Sequence, residues 1–97
     1  VTKERKSELT RLAGEAMRHA VYKYNLNGSV KRNDEDSGLS IFLYTRSRSG
    51  AAKISECASY TFKFLDSFTN QHLLLGHLKA NAEQAAKQLL EEVRNGV

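Results

Sequence analysis

The chain has 97 residues, 40% of them hydrophobic and 27% charged, with a formal net charge of +4. This size holds one domain, residues 1–97, with room for one modest core, and the composition is that of an ordinary globular protein. No run reaches eighteen apolar residues, which excludes a membrane-spanning helix, and the single Cys57 excludes an internal disulfide or a paired-cysteine metal or redox motif.

The start, Val1-Thr2-Lys3-Glu4-Arg5-Lys6, is charged and contains an acid, unlike a secretory h-region or an organelle transit peptide. A reducing, cytoplasmic setting is the expectation. The first element is a helix from about Lys3 to Tyr22 or Tyr24, because Leu9, Leu12, Ala13, Ala16, Met17, Ala20 and Val21 recur at spacings of three and four. Thr2 is its expected N-cap, without a capping box because position five is Arg. Tyr22, Tyr24 and Leu26 alternate with Lys23 and Asn25, so the chain can already be extended there. Asn27-Gly28 then reads as a two-residue hairpin turn, since both residues tolerate positive φ. Ser29–Arg32 follows as a short edge strand, and residues 33–38 as a solvated acidic loop.

Leu39–Thr45 is the strongest strand, apolar on both faces in its middle, which suits a central strand covered on two sides. After it, Tyr60, Phe62 and Phe64 alternate with Thr61 and Lys63 and read as a half-buried strand. A helix over Ala51–Phe68 competes, because Ile54, Cys57, Ala58, Thr61 and Leu65 also fall at helical spacing; aromatic and β-branched content favours the strand.

The last element is a helix from about Asn70 to Arg94, striped by Leu74, Leu75, Leu78, Ala82, Ala85, Ala86, Leu89, Leu90 and Val93 and stopped by Asn95-Gly96. At about 35–40 Å it exceeds what a small sheet needs for cover. Either its last turns fray, or its alanine-rich stretch packs on a second chain. The fold class expected is therefore α+β, a small antiparallel sheet of two to four strands with both helices on one face in a two-layer sandwich. The helix–strands–helix order with a basic sheet resembles, in topology alone, the small subunits of the signal recognition particle's Alu domain. That likeness carries no motif and lends no residue.

Charge supplies the functional hint. Residues 1–53 carry eleven Lys/Arg and six Asp/Glu, whereas 54–97 carry four and five, so the surplus lies in the first half. The segment Arg46-Ser47-Arg48-Ser49-Gly50-Ala51-Ala52-Lys53 joins two β-prone runs and holds no acid. Arg46, Arg48 and Lys53, with Lys31 and Arg32 as secondary contacts, suit phosphate recognition through charge-assisted hydrogen bonds. Tyr44 and Tyr60 are expected to flank the loop and to offer stacking surfaces if they face outward. A solvated hairpin tip carries similar charges for solubility alone.

No catalytic constellation stands against this. His72 and His77 are five residues apart and cannot act as an i,i+4 ligand pair, and Cys57 has no neighbouring cation to activate it. Asp34, Glu35 and Asp36 sit in a loop, and no phosphate-cradling glycine pattern occurs. The expectation is a non-enzymatic protein that needs no cofactor or metal. It binds RNA or DNA through its basic half, as a homodimer or as a subunit of a larger complex. The alternative is a protein-interaction or assembly module docking or dimerising through its C-terminal helix.

Overall fold

In the computed structural model, which describes residues 1–45 and 54–95, the chain runs α1 (Lys3–Tyr24), β1 (Asn27–Arg32), β2 (Gly38–Tyr44), β3 (Ile54–Thr61), α2 (Phe62–Asp66) and α3 (Gln71–Arg94). The strands form one antiparallel sheet in the order β1-β2-β3, with both long helices on one face. The expected α+β sandwich is what the residues build.

α1 begins as expected: the Thr2 hydroxyl accepts the backbone N–H of Arg5 at 3.1 Å. Its end differs. The helix continues to Tyr24, and Asn25 takes the left-handed conformation (φ 55°) that closes it. The reversal is therefore complete before Asn27-Gly28, which become the first residues of β1 and not a hairpin turn. Gly28 is needed there for a packing reason. A Cβ at this position would lie 2.7 Å from Met17 Sδ and 3.0 Å from the Phe42 carbonyl oxygen, so α1 rests directly on the strand. The true β1–β2 turn is Asn33–Ser37, where the Asn33 side chain accepts Ser37 N–H at 2.8 Å and Asp36 adopts φ 55°.

β2 is central, as expected, but among the described residues the helices cover one of its faces only. Leu39, Ile41 and Leu43 are buried, while Ser40, Phe42 and Tyr44 are half-buried on the opposite side. β3 ends sooner than the aromatic alternation suggests. The Thr61 hydroxyl accepts Phe64 N–H at 3.0 Å and caps the short α2, which buries Phe62 and Leu65 at helical spacing. Strand and helix thus share the segment for which each competed. Between Ile41 and Phe42 the register slips, so that Ala58 opposes Ile41, Glu56 opposes Phe42, and Cys57 is the extra residue of a bulge.

The core has a wide end and a narrow end. Leu9, Leu12, Ala13 and Ala16 of α1 meet Leu39, Ile41, Phe62, Leu65, Leu74 and Leu78 at the first. At the second, Ala20, Leu26 and Leu43 meet Ala82, Ala85, Ala86 and Leu89. Early α1 packs on early α3 and late on late, so the two helices run side by side in the same direction. The alanines of α3 lie against Ala20 of α1 within the same chain, and their small size lets the helices approach closely. No second chain is required to bury them. At ~36 Å, α3 extends over most of the 43 Å long axis.

Candidate nucleic-acid interface

The period-two pleat of the sheet decides which side chains can meet a ligand. On β1, Val30 packs against the core and Gly28 lies beneath Met17, which leaves Ser29 and Lys31 on the face away from the helices. They join Ser40, Phe42 and Tyr44 of β2 and Ser59 of β3. Two cross-strand hydroxyl pairs tie this face together: Ser29 Oγ shares a hydrogen bond with Tyr44 Oη at 2.5 Å, and Ser40 Oγ shares one with Ser59 Oγ at 2.6 Å. A shallow depression of about 220 Å³ opens among Asn33, Ser40, Ser59 and Thr61. The result is a hydroxyl-rich surface carrying two aromatic rings and one lysine.

Arg46, Arg48 and Lys53 lie outside the described residues. The chain leaves β2 just beyond Tyr44, at the end of the molecule where α1 and α3 both terminate. Two helix C-termini side by side present partial negative charge, so a basic composition after Tyr44 has an electrostatic reason independent of any ligand. At the same end, Lys87, Arg94, Tyr24, Leu90 and Glu91 line a cleft of about 380 Å³.

Lys31 and Arg32 sit elsewhere. Their register partners are Ser40 and Leu39, so Arg32 is five β2 residues, roughly 17 Å, from the Tyr44 end. Nor are the two equivalent. Arg32 Nε and Nη2 each lie 2.6 Å from Asp36 Oδ1, and the guanidinium carbon lies 5.2 Å from the centre of the Phe62 ring. Lys6 approaches the same ring at 5.6 Å and donates to the Asp36 carbonyl oxygen at 2.7 Å. The hydrogen bond from Arg32, reinforced by the nearby charge of Lys6, holds the Asp36 carboxyl below its ordinary pKa. Arg32 is a brace fixing the β1–β2 turn to α2, and Lys6 ties the same turn to α1. Lys31 is exposed and makes no ion pair with the described residues, which leaves its ammonium available to an anion.

The same distinction runs through the first half. Arg5 binds Asp66 at 2.8 Å and Glu8 at 3.1 Å, Arg11 binds Glu15 at 2.6 Å, and Lys23 binds Glu83 at 2.6 Å. Several cations of the first half are thus paired with carboxylates, two of which, Asp66 and Glu83, come from the second half. Lys3, Arg18 and Lys31 remain outside such pairs among the described residues.

Tyr60 does not flank the loop. It opposes Leu39 at the far end of the sheet and turns towards α3, where its hydroxyl accepts a hydrogen bond from Asn81 Nδ2 at 2.6 Å. Its ring stacks on Phe64 (centroids 6.0 Å apart) and meets His77 edge-on, while burial pushes the phenol pKa up. Tyr44, by contrast, is on the open face. Phe42 and the serine ladder escaped the sequence reading because two half-buried aromatics made β2 look apolar on both sides. The alternation of Leu39, Ile41 and Leu43 with Ser40 was the available signal.

His77 lies among Tyr60, Phe64 and Phe68, His19 is 3.0 Å from Glu83, and His72 is exposed. Among the described residues no three His, Cys, Asp or Glu side chains gather as a metal site, and no helix is long and apolar enough to cross a membrane. No family model, curated protein or solved structure matches this chain.

Proposed function

We propose that this chain is a non-enzymatic accessory protein that binds nucleic acid, with the open sheet face and the adjoining basic segment as its contact surface. One observation carries the reading: Lys31, Phe42 and Tyr44 share a hydroxyl-lined sheet face turned away from the helices, and in the sequence Tyr44 is soon followed by Arg46, Arg48 and Lys53. Such a surface combines cations for phosphates with ring faces for bases, the two contact types that nucleic acid requires. Arg46, Arg48 and Lys53 supply phosphate contacts, as does Lys31 from the other end. Arg32 contributes indirectly, by holding the turn.

The test is a binding titration at two salt concentrations on protein of known oligomeric state. Binding at micromolar or tighter affinity that weakens steeply with salt is expected, because phosphate contacts displace condensed counterions. Replacing Arg46 and Arg48 together lowers both affinity and salt slope. Absence of binding at low salt, or a slope untouched by the double substitution, overturns the assignment.

The protein-interaction alternative has its own observation. Phe64, 44% exposed, meets Phe68 and His77, and Leu73, 63% exposed, lies one helical turn before His77, which puts apolar surface at the start of α3. Leu89 is buried and belongs to the core. A protein partner would therefore engage the N-terminal part of α3. Loss of self-association or partner capture on Leu73→Asp, with the fold intact, would favour this reading over nucleic-acid binding.

A further inference from the structure

The hydrogen bond shared by Tyr44 and Ser29 runs diagonally. In the register, Tyr44 opposes Asn27, yet its hydroxyl reaches Ser29, the residue opposite Phe42. A phenol can span those two positions only if its ring lies along the sheet surface. The ring is half-buried in that position, so part of its surface remains open to a ligand. The tether to Ser29 restricts the ring before any ligand arrives, so little side-chain freedom remains to be lost on binding. Phe42, two residues earlier on the same face, presents a second half-buried ring about 7 Å along the strand.

Resting on the nucleic-acid reading, we infer that the open face takes single-stranded nucleic acid, with one base stacked on the Tyr44 ring and its neighbour against Phe42. A duplex hides its base faces inside the stack and offers only phosphates and groove edges, so rings lying on a sheet gain nothing from it. An unpaired strand exposes those faces, and aromatic stacking accepts any base. Charge fits the same occupant: Lys31 lies on this face, exposed and outside any ion pair among the described residues. Glu56, opposite Phe42 in the register, is the one acid placed at this level of the sheet among the described residues.

The chain has four tyrosines and no tryptophan, so stacking on Tyr44 can be read from intrinsic tyrosine fluorescence. The experiment titrates about ten-nucleotide oligouridylate and oligothymidylate, and a mixed-sequence duplex of equal length, into the wild type, Tyr44→Phe and Tyr44→Ala. Both single strands are expected to bind about ten-fold tighter than the duplex and to quench the fluorescence. Tyr44→Phe keeps the ring, so it retains affinity within about three-fold yet loses most of the quench. Tyr44→Ala binds the single strands about ten-fold more weakly with an unchanged salt slope. Equal binding of the duplex, or undiminished quenching in Tyr44→Phe, overturns the single-strand inference while leaving phosphate-driven binding in place. If no oligonucleotide binds at low salt, the functional reading fails with it. Should Tyr44→Ala not fold, Tyr44→Phe and the strand-versus-duplex ratio still decide.

Discussion

At the residue scale, the charged side chains divide into those that hold the fold and those that remain for a ligand. Arg32 and Lys31 are sequence neighbours with opposite roles. Arg32→Ala removes the Asp36 contacts and the guanidinium over Phe62, and is expected to lower stability by about 1 kcal/mol with little effect on the salt dependence of binding. Lys31→Ala should leave the melting temperature unchanged and reduce the salt slope by roughly one. Thermal melts combined with salt-dependent titrations separate the pair, and identical behaviour of the two variants would contradict the division. Glu83 offers a test in pH. Hydrogen bonds from Lys23 and then His19 hold its carboxyl at about 2, well under its ordinary 4.5. A depressed carboxylate pKa stabilises the fold above the unfolded value, and that contribution is lost as pH falls from about 4.5 to about 2. Glu83→Gln should therefore be less stable than the wild type above about pH 5, and the gap should close by about pH 2. Denaturant midpoints across that range measure it; a gap independent of pH would rule out the ion pair as its source.

Backbone contact matters at this scale as well. A Cβ at Gly38 would clash with the Tyr60 carbonyl oxygen of the adjacent strand. Since neither backbone can yield without parting β2 from β3, Gly38→Ala is expected to destabilise the fold by about 1–3 kcal/mol, measurable by chemical denaturation. An unchanged midpoint would mean that the strands pair less closely than described.

At the element scale, the two ends of α3 do different work. Leu89 is buried among Leu26, Leu43 and the alanines, whereas Leu73 stands in solvent beside the Phe64–Phe68–His77 cluster. Leu89→Asp places an uncompensated charge in the core and should prevent cooperative folding. Leu73→Asp should fold normally. Circular dichroism melts distinguish the two, and a well-folded Leu89→Asp protein would overturn the core assignment. The turns show how tertiary contact overrules local preference. Asn27-Gly28 is a good hairpin sequence, yet Asn25 closes α1 first and Met17 needs a bare backbone beneath it, so the glycine serves packing. In the same way Thr61, read locally, continues an alternating strand. Its hydroxyl instead caps α2, because burying Phe62 and Leu65 together requires helical spacing.

At the scale of the whole molecule, parallel packing of α1 and α3 places both of their C-termini, and the end of β2 at Tyr44, at one end. Two layers leave the other sheet face open, and that exposure is the basis of the functional proposal. Sequence by itself determined the α+β class, both long helices, the Thr2 cap of the first and the central strand, because apolar periodicity and capping chemistry are local properties. It also indicated the basic segment 46–53, since composition needs no fold. Tertiary structure alone decided which face of β2 is open, that Tyr60 turns inward while Tyr44 does not, that Arg32 is held by Asp36 and Phe62, and that Cys57 forms a bulge. Each of these depends on the register between strands or on contacts between residues far apart in the chain, and neither register nor long-range pairing is written in local spacing.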